Sequence, residues 1–232
     1  MRLVILTATV LSLAVSSHGA IVAGDAIKLD FSAAGDSDGP LVNWNSVTGS
    51  TTITDPIRDS DGAPVVGVSV TFTNMQNLNF NNDGASGNWG GTAGDPYYSL
   101  GADDIYYHGV AADLVVTFTG LDPALTYNVR FYSFISNNGG NVERFVVSDG
   151  AGTQSVQNTR STRWNAATLE DAGTVFTNLS PNGSNQVTAS VEDVSSAFYP
   201  LNAIVLEAIP EPGTLLLLSV GLLGLAGKRR RK

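Results

Sequence analysis

An all-β exported domain, a β-sandwich or barrel carried between two targeting segments, is the fold class this chain predicts, and three observations predict it. Short stretches with strand-type alternation or β-branched and aromatic enrichment recur through residues 20–209. Clusters of Gly, Asn, Asp and Pro separate them, and nothing in that region sustains a helical apolar stripe. Apolar runs are confined instead to the two ends of the chain, each beside basic residues.

The first of these ends reads as a signal peptide over residues 1–19. Arg2 supplies the positive region, residues 3–15 the apolar stretch, and residues 16–20 the small side chains that a cleaving peptidase accepts. Ser17 and Gly19 fit the small positions, which places the cut after Gly19, with Ala20 as the neighbouring choice. The general export machinery is thereby implied as a partner.

The domain that follows is expected over residues 20–209. Its strands are predicted at 26–31, 65–73, 113–119, 126–134, 142–148, 173–178, 186–191 and 203–208. The clearest pair is 113–119 with 126–134, joined by the turn Gly120-Leu-Asp-Pro-Ala124. Along the second of these, Tyr127, Val129, Phe131 and Ser133 fall on one face and Asn128, Arg130, Tyr132 and Phe134 on the other. The first face is a core face; the second mixes aromatic and polar groups.

Loops carry the candidate binding residues. Asp36-Ser37-Asp38-Gly39 and Asp59-Ser60-Asp61-Gly62 repeat one tetrapeptide, and alternating carboxylates beside a Gly can gather oxygen ligands around Ca2+. A turn accounts for the same residues, since Asp caps it and Gly permits positive φ. Trp44, Trp89 and Trp164, with the pair Tyr97-Tyr98, lie among polar residues. Rings in such settings stack on the flat faces of sugars, while Asn, Asp and Arg pair with hydroxyls; the bland reading is that large aromatics close the ends of a core. Trp89, within the Gly/Asn-rich segment 83–94, is the one expected to be exposed.

The C-terminal end, residues 210–232, has three parts. Pro210-Glu211-Pro212 is a rigid break, residues 213–227 are a Leu/Gly-rich apolar run, and Lys228, Arg229, Arg230, Arg231 and Lys232 form a basic terminus that stays cytoplasmic. Fifteen residues make a helix of about 22 Å at roughly 1.5 Å per residue, against a hydrocarbon core of about 30 Å. A single short transmembrane helix is predicted, one that suits a transient, processed anchor.

Without the two ends, six Lys and Arg face twenty acidic residues, a net charge of about −14 for residues 20–209, which excludes nucleic acid as a partner because the phosphates would be repelled. There is no cysteine, so the fold stands without disulfides, and thiol catalysis, Cys zinc sites and haem attachment are excluded. His108 is the only histidine of residues 20–209, and no Gly-x-Ser-x-Gly elbow accompanies it. The glutamates Glu143, Glu170, Glu192 and Glu207 form no local glycosidase signature.

Two resemblances follow from these residues. The Pro-Glu-Pro triplet, apolar helix and arginines together resemble the PEP-CTERM sorting signal of Gram-negative bacteria. That resemblance implies recognition by an exosortase-type membrane enzyme, cleavage near the triplet, and release or attachment at the cell surface. Gly-Leu-Asp-Pro-Ala-Leu-Thr-Tyr-Asn-Val-Arg-Phe-Tyr at 120–132 and Leu-Asn-Ala-Ile-Val-Leu-Glu at 201–207 look like strands of galactose-binding-like jelly-roll modules. This one implies a jelly-roll-like β-sandwich that recognises carbohydrate, with no catalytic residue carried over. The function expected is a non-catalytic surface or matrix protein that binds or organises extracellular polysaccharide. A purely structural matrix protein without a discrete ligand and a glycan-active hydrolase are the alternatives.

Overall fold

The structure is a computed structural model that describes residues 21–31, 42–47, 52–75, 79–80, 106–108, 113–133, 142–159, 173–194 and 199–210. Among the described residues there are strands and no helix. In chain order the strands are β1 (Ala26–Asp30), β2 (Asn45–Ser46), β3 (Thr52–Thr54), β4 (Ser69–Thr73), β5 (Asn79–Phe80), β6 (Tyr106–His108) and β7 (Leu114–Thr119), then β8 (Leu125–Tyr132), β9 (Val142–Ser148), β10 (Thr153–Thr159), β11 (Thr174–Leu179), β12 (Gln186–Asp193), β13 (Tyr199–Leu201) and β14 (Ala203–Pro210). Each segment expected from the sequence carries a strand, and β9 has the expected bounds.

Two sheets form the body. One runs β11-β8-β14-β1-β2 and the other β10-β9-β12-β7-β4-β3, while β13-β6-β5 make a small third sheet. From β7 onward the chain passes repeatedly between the two large sheets: β7 to β8, β8 to β9, β10 to β11 and β11 to β12 each change sheet. All pairings in the large sheets are antiparallel except β1 with β2.

Alternation in the sequence decides which side faces in. In β7, Leu114, Val116 and Phe118 are buried and the residues between them are half-buried. Tyr127, Val129 and Phe131 of β8 are fully buried, the face assigned to the core from the sequence, and Ile204, Leu206 and Ala208 of β14 join them. The two sheets meet through aromatic contacts. Phe131 of β8 stacks on Phe145 of β9 with centroids 4.6 Å apart and Phe31 meets Phe72 edge-on at 6.0 Å, while within the five-stranded sheet Phe176 of β11 meets Phe131 edge-on at 5.8 Å. The result is a β-sandwich with one continuous apolar core.

The turn between β7 and β8 shows how tightly one end is closed. Gly120 has φ of +80°, and a Cβ there would collide with the carbonyl oxygen of Gly67 in the neighbouring turn. The buried Tyr127 hydroxyl accepts from the Asp122 backbone N–H at 3.0 Å and donates to the Asp122 carbonyl at 3.2 Å, tying the turn to the strand it feeds. At the same end β14 finishes with Pro210 opposite Leu125, so that the first proline of the Pro-Glu-Pro triplet is the last residue of the sheet among the described residues. The signal peptide expected at 1–19 and the apolar helix expected at 213–227 lie outside the described residues.

Candidate functional site

One polar cluster is built on a hairpin at residues 57–64 that packs beside β1. Ile57 bridges Pro64 and Arg58 bridges Ile27, so the hairpin borders the margin of the five-stranded sheet. Gly62, with φ of +70°, turns the chain, and its N–H donates to the Arg58 carbonyl at 3.0 Å. Asp61 caps that turn: its Oδ1 accepts from the Ala63 N–H at 2.9 Å. The tetrapeptide Asp59-Ser60-Asp61-Gly62 is therefore a tight turn.

Its carboxylates face cations of the protein itself. The Arg58 guanidinium grips Asp61 in a bidentate fork, Nε to Oδ1 at 2.7 Å and Nη2 to Oδ2 at 2.8 Å, and lies 3.6 Å from Asp25 Oδ2 on its other side. Hydrogen bonding by Arg58 holds the Asp61 carboxyl down at about 2, and the same pair raises Arg58. Asp59 accepts from the Ala26 N–H at 2.8 Å through Oδ1 and meets Lys28 Nζ at 3.1 Å through Oδ2. Ser60 Oγ donates to the buried Asp25 at 2.7 Å.

Trp44 and Asn45 complete the margin. Lys28 Nζ stands 5.5 Å from the centre of the Trp44 ring, and Trp44 is 8% exposed, so the ring is mostly covered. Asn45 Nδ2 donates to the carbonyls of Lys28 and Ile57 at 3.0 and 2.9 Å, and its Oδ1 accepts from the Ile57 N–H at 2.7 Å. This one amide fastens β1, β2 and the hairpin together.

The outer face of the five-stranded sheet opens from that margin. Register places Lys28, Val205, Arg130 and Val175 in one row across β1, β14, β8 and β11, with Glu207 and Asn128 side by side in the next. The row between them, Ile27, Leu206, Val129 and Phe176, points inward and is buried. Lys28, Asn128, Arg130, Val205 and Glu207 are half-buried and Val175 is exposed. Asn128 Nδ2 donates to Glu207 Oε2 at 3.4 Å while its Oδ1 accepts from the Asn178 N–H at 3.2 Å. An ammonium, a guanidinium, an amide and a carboxylate thus share a shallow polar face. Lys28 and Arg130 are about 10 Å apart at roughly 4.8 Å per strand.

Of the residues singled out from the sequence, Asp59 and Asp61 come together on the hairpin, Trp44 lies beside Lys28, and Pro210 closes β14. Trp89, Trp164, Tyr97, Tyr98, Asp36, Asp38, Glu211, Pro212 and the basic residues Lys228, Arg229, Arg230, Arg231 and Lys232 lie outside the described residues. Arg58 and Lys28 went unremarked in the sequence. Arg58 was within reach of such a reading, since it precedes the Asp-Ser-Asp-Gly turn and sits three residues from Asp61. Lys28 is thirty-one positions from Asp59, and only the fold brings the two together. No group of three or more potential metal ligands is found among the described residues.

No curated protein matches the chain. Among solved structures, TmCBM61 in complex with β-1,4-galactotriose is similar over 59% of this chain and 80% of its own, with 15% sequence identity and a TM-score of 0.33. Residues 208–231 match the PEP-CTERM protein-sorting motif, a match that begins inside β14 and runs through the triplet, the apolar segment and the arginines. That motif marks the chain as an exported protein sorted through the membrane by an exosortase-type system.

Proposed function

We propose that this chain is a non-catalytic surface or matrix protein that binds extracellular polysaccharide through the outer face of its five-stranded sheet. The sorting motif supports delivery to the outside, and cleavage at Pro210-Glu211-Pro212 by the exosortase-type enzyme would end the membrane-bound stage. The observation that carries the binding reading is the shared face of Lys28, Arg130, Asn128 and Glu207. Half-buried donors and acceptors held in fixed strands are suited to the hydroxyl and carboxylate groups of sugars, because little side-chain freedom is lost on binding.

Co-sedimentation of the chain with polysaccharide from its host, together with melting temperature, tests this. A ligand that binds only the folded state raises its stability. The expected result is binding and an upward shift, both reduced by Arg130→Ala and by Asn128→Ala. Binding unchanged in both variants would move the site elsewhere, and no binding would leave the purely structural reading. Calcium at Asp59 and Asp61 would have to displace Lys28 and Arg58 from those carboxylates. Asp59→Asn is therefore expected to leave unchanged any difference between the same melts in Ca2+ and in EDTA.

A further inference from the structure

We infer that the outer edge of β10 is a self-pairing surface, on which a second copy of this chain adds antiparallel to continue the six-stranded sheet across a twofold axis. A sheet edge is a row of unspent hydrogen-bonding groups, and folded proteins blunt such edges with brevity, bulges, proline or charge. Among the described residues, three of the four edges of this sandwich are blunted. β2 and β3 span two and three residues, β3 runs into Asp55-Pro56, and the β11 pairing slips between Phe176 and Leu179, where Asn178 has φ of +58°. β10 has none of these devices: seven residues pair with β9 in unbroken register, with no proline and no charged residue among them. Among the described residues no strand pairs with its far side.

What identifies the partner is the strand's own sequence, Thr153-Gln-Ser-Val-Gln-Asn-Thr159. The residue order reads nearly the same in either direction from Val156. An antiparallel pair centred on Val156 sets Thr153 against Thr159, Gln154 against Asn158, Ser155 against Gln157, and Val156 against itself. A twofold interface demands this self-complementarity, and Thr–Thr and amide pairs are favourable cross-strand neighbours. Val156 adds a hydrophobic reason. It is opposite the fully buried Phe145, hence on the core-facing side of the sheet, yet it is 44% exposed at the open margin of the core. A second Val156 would cover it. The domain is strongly acidic elsewhere, and an uncharged strand is where two such bodies meet with least repulsion.

The absence of native cysteine makes the test direct. In the full chain, purified in mild detergent and exposed to a gentle oxidant, Val156→Cys places two sulfurs across the axis, where directly opposed Cβ atoms come within about 4.5–5.5 Å. It is expected to form a covalent dimer at least about tenfold faster than Val66→Cys, a control valine 59% exposed in a turn, because pairing raises the local thiol concentration. Register is tested separately: Gln154→Cys chains are expected to cross-link to Asn158→Cys chains in preference to other Gln154→Cys chains. Equal rates for Val156→Cys and Val66→Cys, or no preference between Gln154→Cys and Asn158→Cys partners, would overturn the proposal.

Discussion

Arg58 and Asp61 set how the 57–64 hairpin responds to acid. The Asp61 carboxyl is held at about 2 by the Arg58 fork, below its ordinary 3.8, so the folded state binds its proton more weakly than the unfolded chain does. That contribution is fully present above the ordinary value and is lost as pH falls through about 2. Asp61→Asn is therefore expected to melt earlier than the unaltered chain at pH 5 and to converge with it near pH 2, read from paired thermal melts. Tyr127 works at the opposite limit. Burial pushes its phenol well above the usual range, so the stability linked to it is present below pH 10 and declines as the pH rises further. Tyr127→Phe gives up both hydrogen bonds to Asp122 at a cost of about 1 kcal/mol near neutrality. Alkaline melts should show the variant losing less between pH 9 and pH 11 than the unaltered chain.

At the scale of elements, the turns decide how closely the strands approach. Gly120→Ala forces a side chain into both a positive φ and the Gly67 carbonyl, and about 2–3 kcal/mol of stability should be lost, measured by urea unfolding. Gly24 has a similar φ of +93° but open space around it, so Gly24→Ala should cost only about 1 kcal/mol. The strands legible in the sequence are those with a side to bury, since alternation is the imprint of a core: β7 and β8 could be read down to which residues face inward. β10 escaped because Thr153, Gln154, Gln157 and Asn158 leave no apolar periodicity to detect in an edge strand. β2 and β3 are too short to show any period. The Asp59–Gly62 turn was legible as a turn and Arg58 lay within its reach, but Lys28 was not legible, because it arrives through the pairing of strands distant in sequence.

For the whole molecule, the sorting tail was readable because it is a linear signal that an enzyme meets as sequence, whereas the outer face of the five-stranded sheet exists only when β1, β14, β8 and β11 are side by side. Deleting residues 211–232 is expected to send the chain into the medium without a membrane stage, and mass spectrometry of the C-terminus should find the unaltered chain shortened near the triplet. The absence of a spacer at that point has a mechanical consequence. Pro210 belongs to the sheet and the apolar run begins at Gly213, so with that run inserted as expected from the sequence, at most about 10 Å of extended chain would separate the folded body from the bilayer. A body on so short a leash would be kept from tumbling and would stand on the end that holds the 121–124 turn. Two chains standing on one membrane have their strands aimed the same way, whereas antiparallel union through β10 requires one of them inverted. Severing the leash would then be the step that permits pairing, which would keep assembly from starting at the membrane and defer it to the space beyond.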